Sequence, residues 1–212
     1  MTDRPILFSA PMVRALLSGT KTQTRRVLKP QPPDTTHQVS TWHHPDPRQH
    51  FFAWTDNGEG GAELADDGWC KPCPYGQPGD RLWVRESHWW FRDEYDPETG
   101  YFPPKLTADD VEYRADGEKP DRIWRPSIHM HRWASRITLE VTDVRVENLN
   151  SISEADAIAE GVNVHSDHHG KPRTSIYSPV QAYRDLWESI NGPGSWALDP
   201  WVWCVSFKRV TP

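Results

Sequence analysis

The sequence predicts an α+β protein: a small curled β-sheet or barrel with helices packed on it, interrupted by two irregular insertions. Three observations predict it. The apparent element order is strand, helix, several strands, helix, helix, strand, without the regular alternation that a parallel α/β sheet requires. The clearest strand, "SRITLEVTDVRVENL", alternates at Ile137, Leu139 and Val141, then changes phase by one residue to Val144 and Val146. That is the trace of a β-bulge, a device that helps a sheet curl. Two polar stretches, about 30–75 and 92–130, show no sustained period and read as excursions from one domain spanning 1–212.

Each element has a local reason. Residues 6–8, "ILF", form a short apolar strand. "SAPMVRALLSG" reads as a helix, with Ser9 or Ala10 as its cap, Pro11 in its first turn and Gly19 at its left-handed exit. Residues 21–27 are extended, and the prolines of "KPQPP" end them because proline cannot donate to a ladder. A hairpin is expected around "FFAWTDNGEGGAEL". In "GDRLWVRE", Leu82 and Val84 face one side of a strand and Arg81, Trp83 and Arg85 the other. A strand is expected at "VEYRAD". "SISEADAIAEGV" is a short helix with a capping-box-like start at Ser153 and Asp156 and a stop at Gly161. "SPVQAYRDLWESINGPG" is a second helix, with a capping box of Ser178 and Gln181 and a stripe of Val180, Tyr183, Leu186 or Trp187, and Ile190. "PWVWCVSFKRV" closes the chain as a strand with Trp201, Trp203, Val205 and Phe207 on one face.

Composition narrows the function. The net charge is −6, whereas holding a long duplex by its phosphates usually takes a basic excess. Local basic pairs remain, Arg25 with Arg26 and Arg132 with Arg136. The balance favours a small ligand or a short single strand. No apolar run approaches the roughly 20 residues that span a bilayer, so no membrane partner is expected. Three cysteines are an odd number without framework spacing, which indicates a reducing, cytoplasmic setting rather than a disulfide scaffold. Twelve tryptophans thicken a small core, and one or two of them could stack on a base.

Candidate chemistry begins at "SGTKTQTRRV", residues 18–27. A threonine hydroxyl is a poor nucleophile without a base beside it. A lysine becomes such a base when burial lowers its pKa; otherwise its charge binds a carbonyl or anionic oxygen. Lys21 and Thr24 are three apart, so they share a pocket only if the chain turns between them. Glu160 sits at the end of a short helix, where a carboxylate opposes the dipole, and such a broken local rule marks a candidate for function. Arg85 and Glu86 point to opposite faces of their strand, and one of them is expected to be buried and paired. Cys70 and Cys73 are half of a zinc site, with no second half following. The histidines of "HMH" (129–131) and "SDHH" (166–169) read as incidental loop residues. There is no glycine-rich phosphate loop, G-x-S-x-G or HExxH, so no cofactor and no metal is expected.

Several of these motifs together resemble one family. "GTKTQTRR" resembles the G-x-K-x-x-T-x-R signature of ASCH domains, which have a PUA-like β-barrel. "GDRLWVRE" is similar to that family's second-strand motif, "ISEADAIAEGV" to its helix ending in Glu-Gly, and "VWCVSFKRV" to its closing strand. The tryptophan-rich insertions and "HRWASRITLEV" resemble the larger ASCH proteins of phages and prophages, which implies the cytoplasm of a bacterial host. One small bacterial branch of the family hydrolyses N4-acetylcytidine with lysine, threonine and glutamate. The resemblance places that triad on Lys21, Thr24 and Glu160, with Arg26, Arg85, Glu86 and Trp83 holding the substrate. The insertions are absent from those small amidohydrolases.

The expected function is therefore action on a modified nucleoside or base, with amide hydrolysis of an N4-acetylcytidine-like substrate in the lead. A non-catalytic module for RNA or a modified base is the alternative from a different class; there, tryptophan stacking and arginine contacts carry the affinity. Ribonuclease activity, also associated with ASCH proteins, is the third.

Overall fold

The computed structural model describes residues 2–32, 38–43, 50–55, 70–90, 98, 106–165 and 177–210. Strand β1 (Asp3–Leu7) leads into helix α1 (Ala10–Leu17). Ser9 occupies the N-cap position with extended backbone, but its side chain caps nothing; the first turn relies on proline instead. Gly19 leaves the helix at φ +76°, a conformation that a Cβ disfavours. Strand β2 (Gln23–Val27) follows.

The first excursion carries a sheet of its own. Strands β3 (Gln38–His43), β4 (His50–Thr55) and β5 (Cys70–Pro72) pair antiparallel in that order. "FFAWT" is thus a central strand, with partners at 38–43 and 70–72; the rest of the expected hairpin, residues 56–64, lies outside the described residues. The polar β3 lacks the apolar alternation that marks a strand in sequence. Phe52 of β4 is buried and joins the main core.

Next come β6 (Arg81–Arg85), β7 (His88–Trp90) and β8 (Val111–Tyr113), with β7 and β8 forming an antiparallel pair. The expected strand at "VEYRAD" is only half strand. Residues Arg114–Asp116 tighten into a 3-10 turn that buries Ala115. Then follow β9 (Thr138–Asn148), α2 (Glu154–Ala159), α3 (Pro179–Asn191) and β10 (Trp201–Val210).

The main sheet is mixed, in the order β1-β6-β9-β10-β2. Its β1–β6 pair is parallel and the rest are antiparallel. The bulge stands where the phase shift places it: Ser206 pairs with Asp143 and Phe207 with Val141, leaving Thr142 over. The sheet does not close into the expected barrel. Among the described residues no ladder joins edge strands β1 and β2. A side chain spans the gap instead, as Arg26 Nη2 donates to Leu7 O at 2.6 Å.

Strand β10 is buried on both faces. Trp203, Val205 and Phe207 pack with Ile6, Phe8, Leu82, Val84 and Leu139, and Trp201 packs at the edge of the same cluster, as its alternation predicts. Val202 and Cys204 pack on the other side against Leu149, Tyr183 and Trp187. Each such large side chain removed from water contributes about 1.5–3 kcal/mol. The capping box of α3 is complete. Its buried stripe is Ala182, Tyr183 and Trp187. Ile190 is 54% exposed, because the helix end borders an open cleft rather than the core. No described helix is long and apolar enough to cross a membrane.

Candidate functional site

The site forms where the loop after α1 crosses the end of α2. Lys21 N–H donates to Ala15 O at 3.0 Å, and Thr22 N–H to Ala159 O at 2.8 Å, so the loop is fastened to both helices. Lys21 bridges Glu160 antiparallel and β2 starts at Gln23, without the expected turn between Lys21 and Thr24 but with a close approach of two backbones. Gly161, at φ +80°, permits it: a Cβ there would lie 2.9 Å from Lys21 Cβ and 3.0 Å from Ala15 Cβ. Helix α2 ends here by design of its own sequence. Ser153 accepts from Asp156 N–H at its start, and Glu160 is its C-cap residue.

Lys21 and Glu160 are both almost fully buried. Lys21 Nζ donates to Glu160 Oε2 and to Glu160 O, each at 2.8 Å. The carboxylate at the wrong end of a helix is therefore explained. The buried ammonium satisfies both that carboxylate and a terminal carbonyl, and a cation is favourable at a helix C-terminus. Burial lowers the Lys21 pKa below the ordinary lysine value; Glu160 opposes the shift, while Arg26 and Arg25 add to it.

The pair is one end of a longer chain of charges. Arg25, whose guanidinium is fully buried, lies 3.7 Å from Glu160 Oε1, 3.3 Å from Asp156 Oδ2 and 3.2 Å from Glu147 Oε2. Arg145 closes the far end on Asp156 at 2.7 Å and on Glu147. Burial works against the charge of Asp156, but the Ser153 hydroxyl and Arg145 outweigh it and hold the carboxyl at about 2. Tyr183 is pushed well above its usual range by burial, with Glu160 adding to the shift.

Thr24 is buried on the opposite face of β2 from Arg25 and pairs with Val205 across the sheet. Thr24, Arg26 and Glu160 line one cleft with Tyr183, Trp187 and Ile190. The cleft is small, about 50 Å³. Thr24 and Glu160 both border this cleft, but cross-strand pairing puts the Thr24 side chain with Val205 on the Phe8 face of the sheet and Arg25 with Cys204 on the Tyr183–Trp187 face. No hydrogen bond joins Lys21 Nζ to the Thr24 hydroxyl; the ammonium instead faces the Phe8 ring at 5.6 Å. The Arg26 guanidinium covers the same ring at 5.3 Å.

The other sequence candidates lie elsewhere. Glu86 is the buried member of its pair. Arg136 grips it from two nitrogens, Nε to Oε1 at 2.9 Å and Nη2 to Oε2 at 3.1 Å. Burial raises the Glu86 pKa, with Arg136 opposing. Glu86 is thus a structural ion-pair partner and does not line the Lys21 cleft, because its strand turns it inward onto Arg136. Arg85 donates to Ile128 O and lies over Trp83 at 5.4 Å, with Arg132 at 5.9 Å from the same ring. These three form a separate surface.

Cys73 is buried, and burial raises its thiol pKa to about 12. The Cys70 side chain and residues 166–169 lie outside the described residues. Among the described residues, no group of three or more His, Cys, Asp or Glu is placed to hold a metal ion.

Sequence reasoning passed over Arg25, Arg145, Glu147, Tyr183 and Trp187 as site residues, and read Asp156 only as a cap. One signal was present: Asp143, Arg145 and Glu147 alternate in the phase opposite to Val144 and Val146, as a charged face of β9 would. Comparison with protein-family models, curated proteins and solved structures gives no match for this chain.

Proposed function

We propose that this protein is a PUA-like ASCH hydrolase that cleaves the amide of an acylated nucleoside such as N4-acetylcytidine. The observation that carries the reading is the buried Lys21–Glu160 pair, held at 2.8 Å, on a cleft that Thr24 also borders. The Thr24 hydroxyl, or a water it orients, attacks the acyl carbon and gives its proton to the Lys21–Glu160 pair. Burial aids this by making the lysine readier to stand neutral. The C–N bond then breaks and the leaving amine takes the proton back. When threonine is the nucleophile, water hydrolyses the acyl ester in a second step, so the products are acetate and cytidine. Arg26 holds the polar edge of the substrate.

The experiment is incubation with N4-acetylcytidine and chromatographic measurement of cytidine and acetate. Equimolar release that Lys21→Ala and Thr24→Ala abolish is the expected result. Absence of release from a panel of acylated nucleosides removes the reading.

A second reading, a non-catalytic module for short single-stranded RNA, is favoured by the surface around Trp83. Arg85 and Arg132 flank that ring, and Trp133 nearby in sequence is 40% exposed. Stacking with arginine support suits unpaired bases. Salt-sensitive binding of oligouridylate without turnover is the outcome that selects it.

A further inference from the structure

We propose that His88 is an acid-sensitive latch: protonation of its imidazole opens the small core under β7 and β8 and takes Arg132 and Ile128 off the surface around Trp83. The proposal stands apart from both functional readings above.

His88 is 0% exposed. Its Nδ1 lies 2.9 Å from Glu86 O. A carbonyl only accepts, so Nδ1 carries the hydrogen and Nε2 is left as a bare acceptor. That Nε2 is buried and has no hydrogen-bond partner among the described residues. The ring stacks on Trp90, with centroids 4.7 Å apart and planes 16° from parallel. The backbone is fastened too. His88 N–H donates to Arg125 O at 3.2 Å, His88 O accepts from Arg125 N–H at 2.8 Å, and His88 pairs with Tyr113 across the two strands. The neutral ring fits this place and the imidazolium does not. A proton on Nε2 would be a buried donor without an acceptor, on a charge held out of water.

The surrounding charges add to that cost. Arg125 lies 4.2 Å from the centroid of the Trp90 ring on which His88 stacks, and the His131 ring 6.3 Å from it. The nearby Glu86 carboxylate is gripped by two nitrogens of Arg136. Tyr113 stays uncharged, since burial raises its pKa to about 12, and its hydroxyl donates to Ala134 O. Glu112 of β8 is paired with Lys119 and Arg122. Burial lowers the His88 pKa; Arg125, His131 and Arg85 add to the shift, and the hydrogen bond to Glu86 O opposes it.

The part that opens is the small core. Trp90, Val111, Tyr113, Met130 and Ala134 form a cluster separate from the main one, and a lone two-stranded sheet is marginal in water. Ala134 closes the turn Arg132–Ala134, and Met130 caps the turn Ser127–His129. These turns bring Arg132 to the Trp83 ring and Ile128 O to Arg85. Between the lowered folded value and the ordinary 6.5, the open form binds more protons than the closed one. Opening therefore becomes easier as pH falls, by up to about tenfold per pH unit for one proton. Glu86, whose pKa burial raises, acts in the opposite sense, so a His88 variant is needed to isolate the effect.

The test is hydrogen exchange by mass spectrometry from pH 7.5 to 5.0, corrected for the intrinsic pH dependence of exchange. Protection of residues 88–90, 111–113 and 127–134 should fall below pH 6.5 while that of residues 139–147 holds. His88→Asn keeps a side-chain N–H for Glu86 O and does not titrate, so it should abolish the fall. A fall of equal size in His88→Asn, or none in the wild type, overturns the proposal. A second measurement needs no variant. NMR of the wild-type His88 ring should show the Nδ1–H tautomer and a titration midpoint below 6.5. An Nε2–H tautomer, or a midpoint at or above 6.5, overturns the proposal.

Discussion

Replacing Glu160 with glutamine removes the anion and keeps the shape. In the native site the Lys21 and Glu160 side chains are 0% and 2% exposed and 2.8 Å apart. Breaking such a pair by removing one charge costs about 3–5 kcal/mol, since the other charge stays buried. The amide oxygen still accepts from Lys21, so the lower end, about 3 kcal/mol at pH 7, is expected. For a chain of this size that corresponds to a fall in melting temperature of roughly 6–12 °C.

The pH dependence identifies the cause. The Lys21 pKa in the fold is already below 10.5, and losing Glu160 removes the chief influence that raises it. Between the lowered folded value and 10.5 the unfolded chain binds more protons than the folded one, so stability rises with pH across that window. The glutamine variant opens the window further downward. Its penalty relative to wild type should therefore shrink from pH 7 toward pH 10. Urea denaturation at pH 7, 8, 9 and 10 measures this directly. A penalty below about 1 kcal/mol at pH 7, or one that grows with pH, would refute the assignment of Lys21 as a buried ammonium dependent on Glu160.

Arg136→Ala leaves Glu86 buried without its guanidinium partner and should cost about 3–5 kcal/mol at pH 7. A folded carboxyl with a raised pKa holds more protons than its unfolded counterpart, so that penalty should shrink on acidification toward pH 5, and adding Glu86→Gln should recover part of it; denaturation of the double-mutant cycle checks both. Thr24→Ala should lower N4-acetylcytidine turnover at least a hundredfold while moving the melting temperature by only a few degrees, read by chromatography and calorimetry; wild-type turnover removes threonine from the mechanism. The wild-type rate should rise with pH to a plateau whose midpoint lies below 10.5, the ordinary lysine value, since the base form of Lys21 is the working one. Leu139→Ala, at a position with 0% exposure, should cost about 2–5 kcal/mol of stability by leaving a cavity.

What the sequence determined by itself was local. The capping box of Ser178 and Gln181, the stop at Gly161, the faces of "RLWVR" and the bulge near Thr142 follow from hydrogen bonds a few residues long or from two-residue alternation. The candidate site was legible in part for the same reason: Glu160 breaks a helix-end rule visible within its own turn, and Lys21 and Thr24 sit beside a helix exit marked by Gly19.

Tertiary structure decided the rest, because burial and pairing depend on which distant surfaces meet. Only the packed chain shows that Glu86 turns inward onto Arg136, that β4 pairs with β3 and β5, and that Arg26 bridges two edges which never form a ladder. It alone brings Arg25 among three carboxylates. A charged side chain has the same sequence signature whether it ends in water or in a core, and only its final neighbours settle which free energy applies.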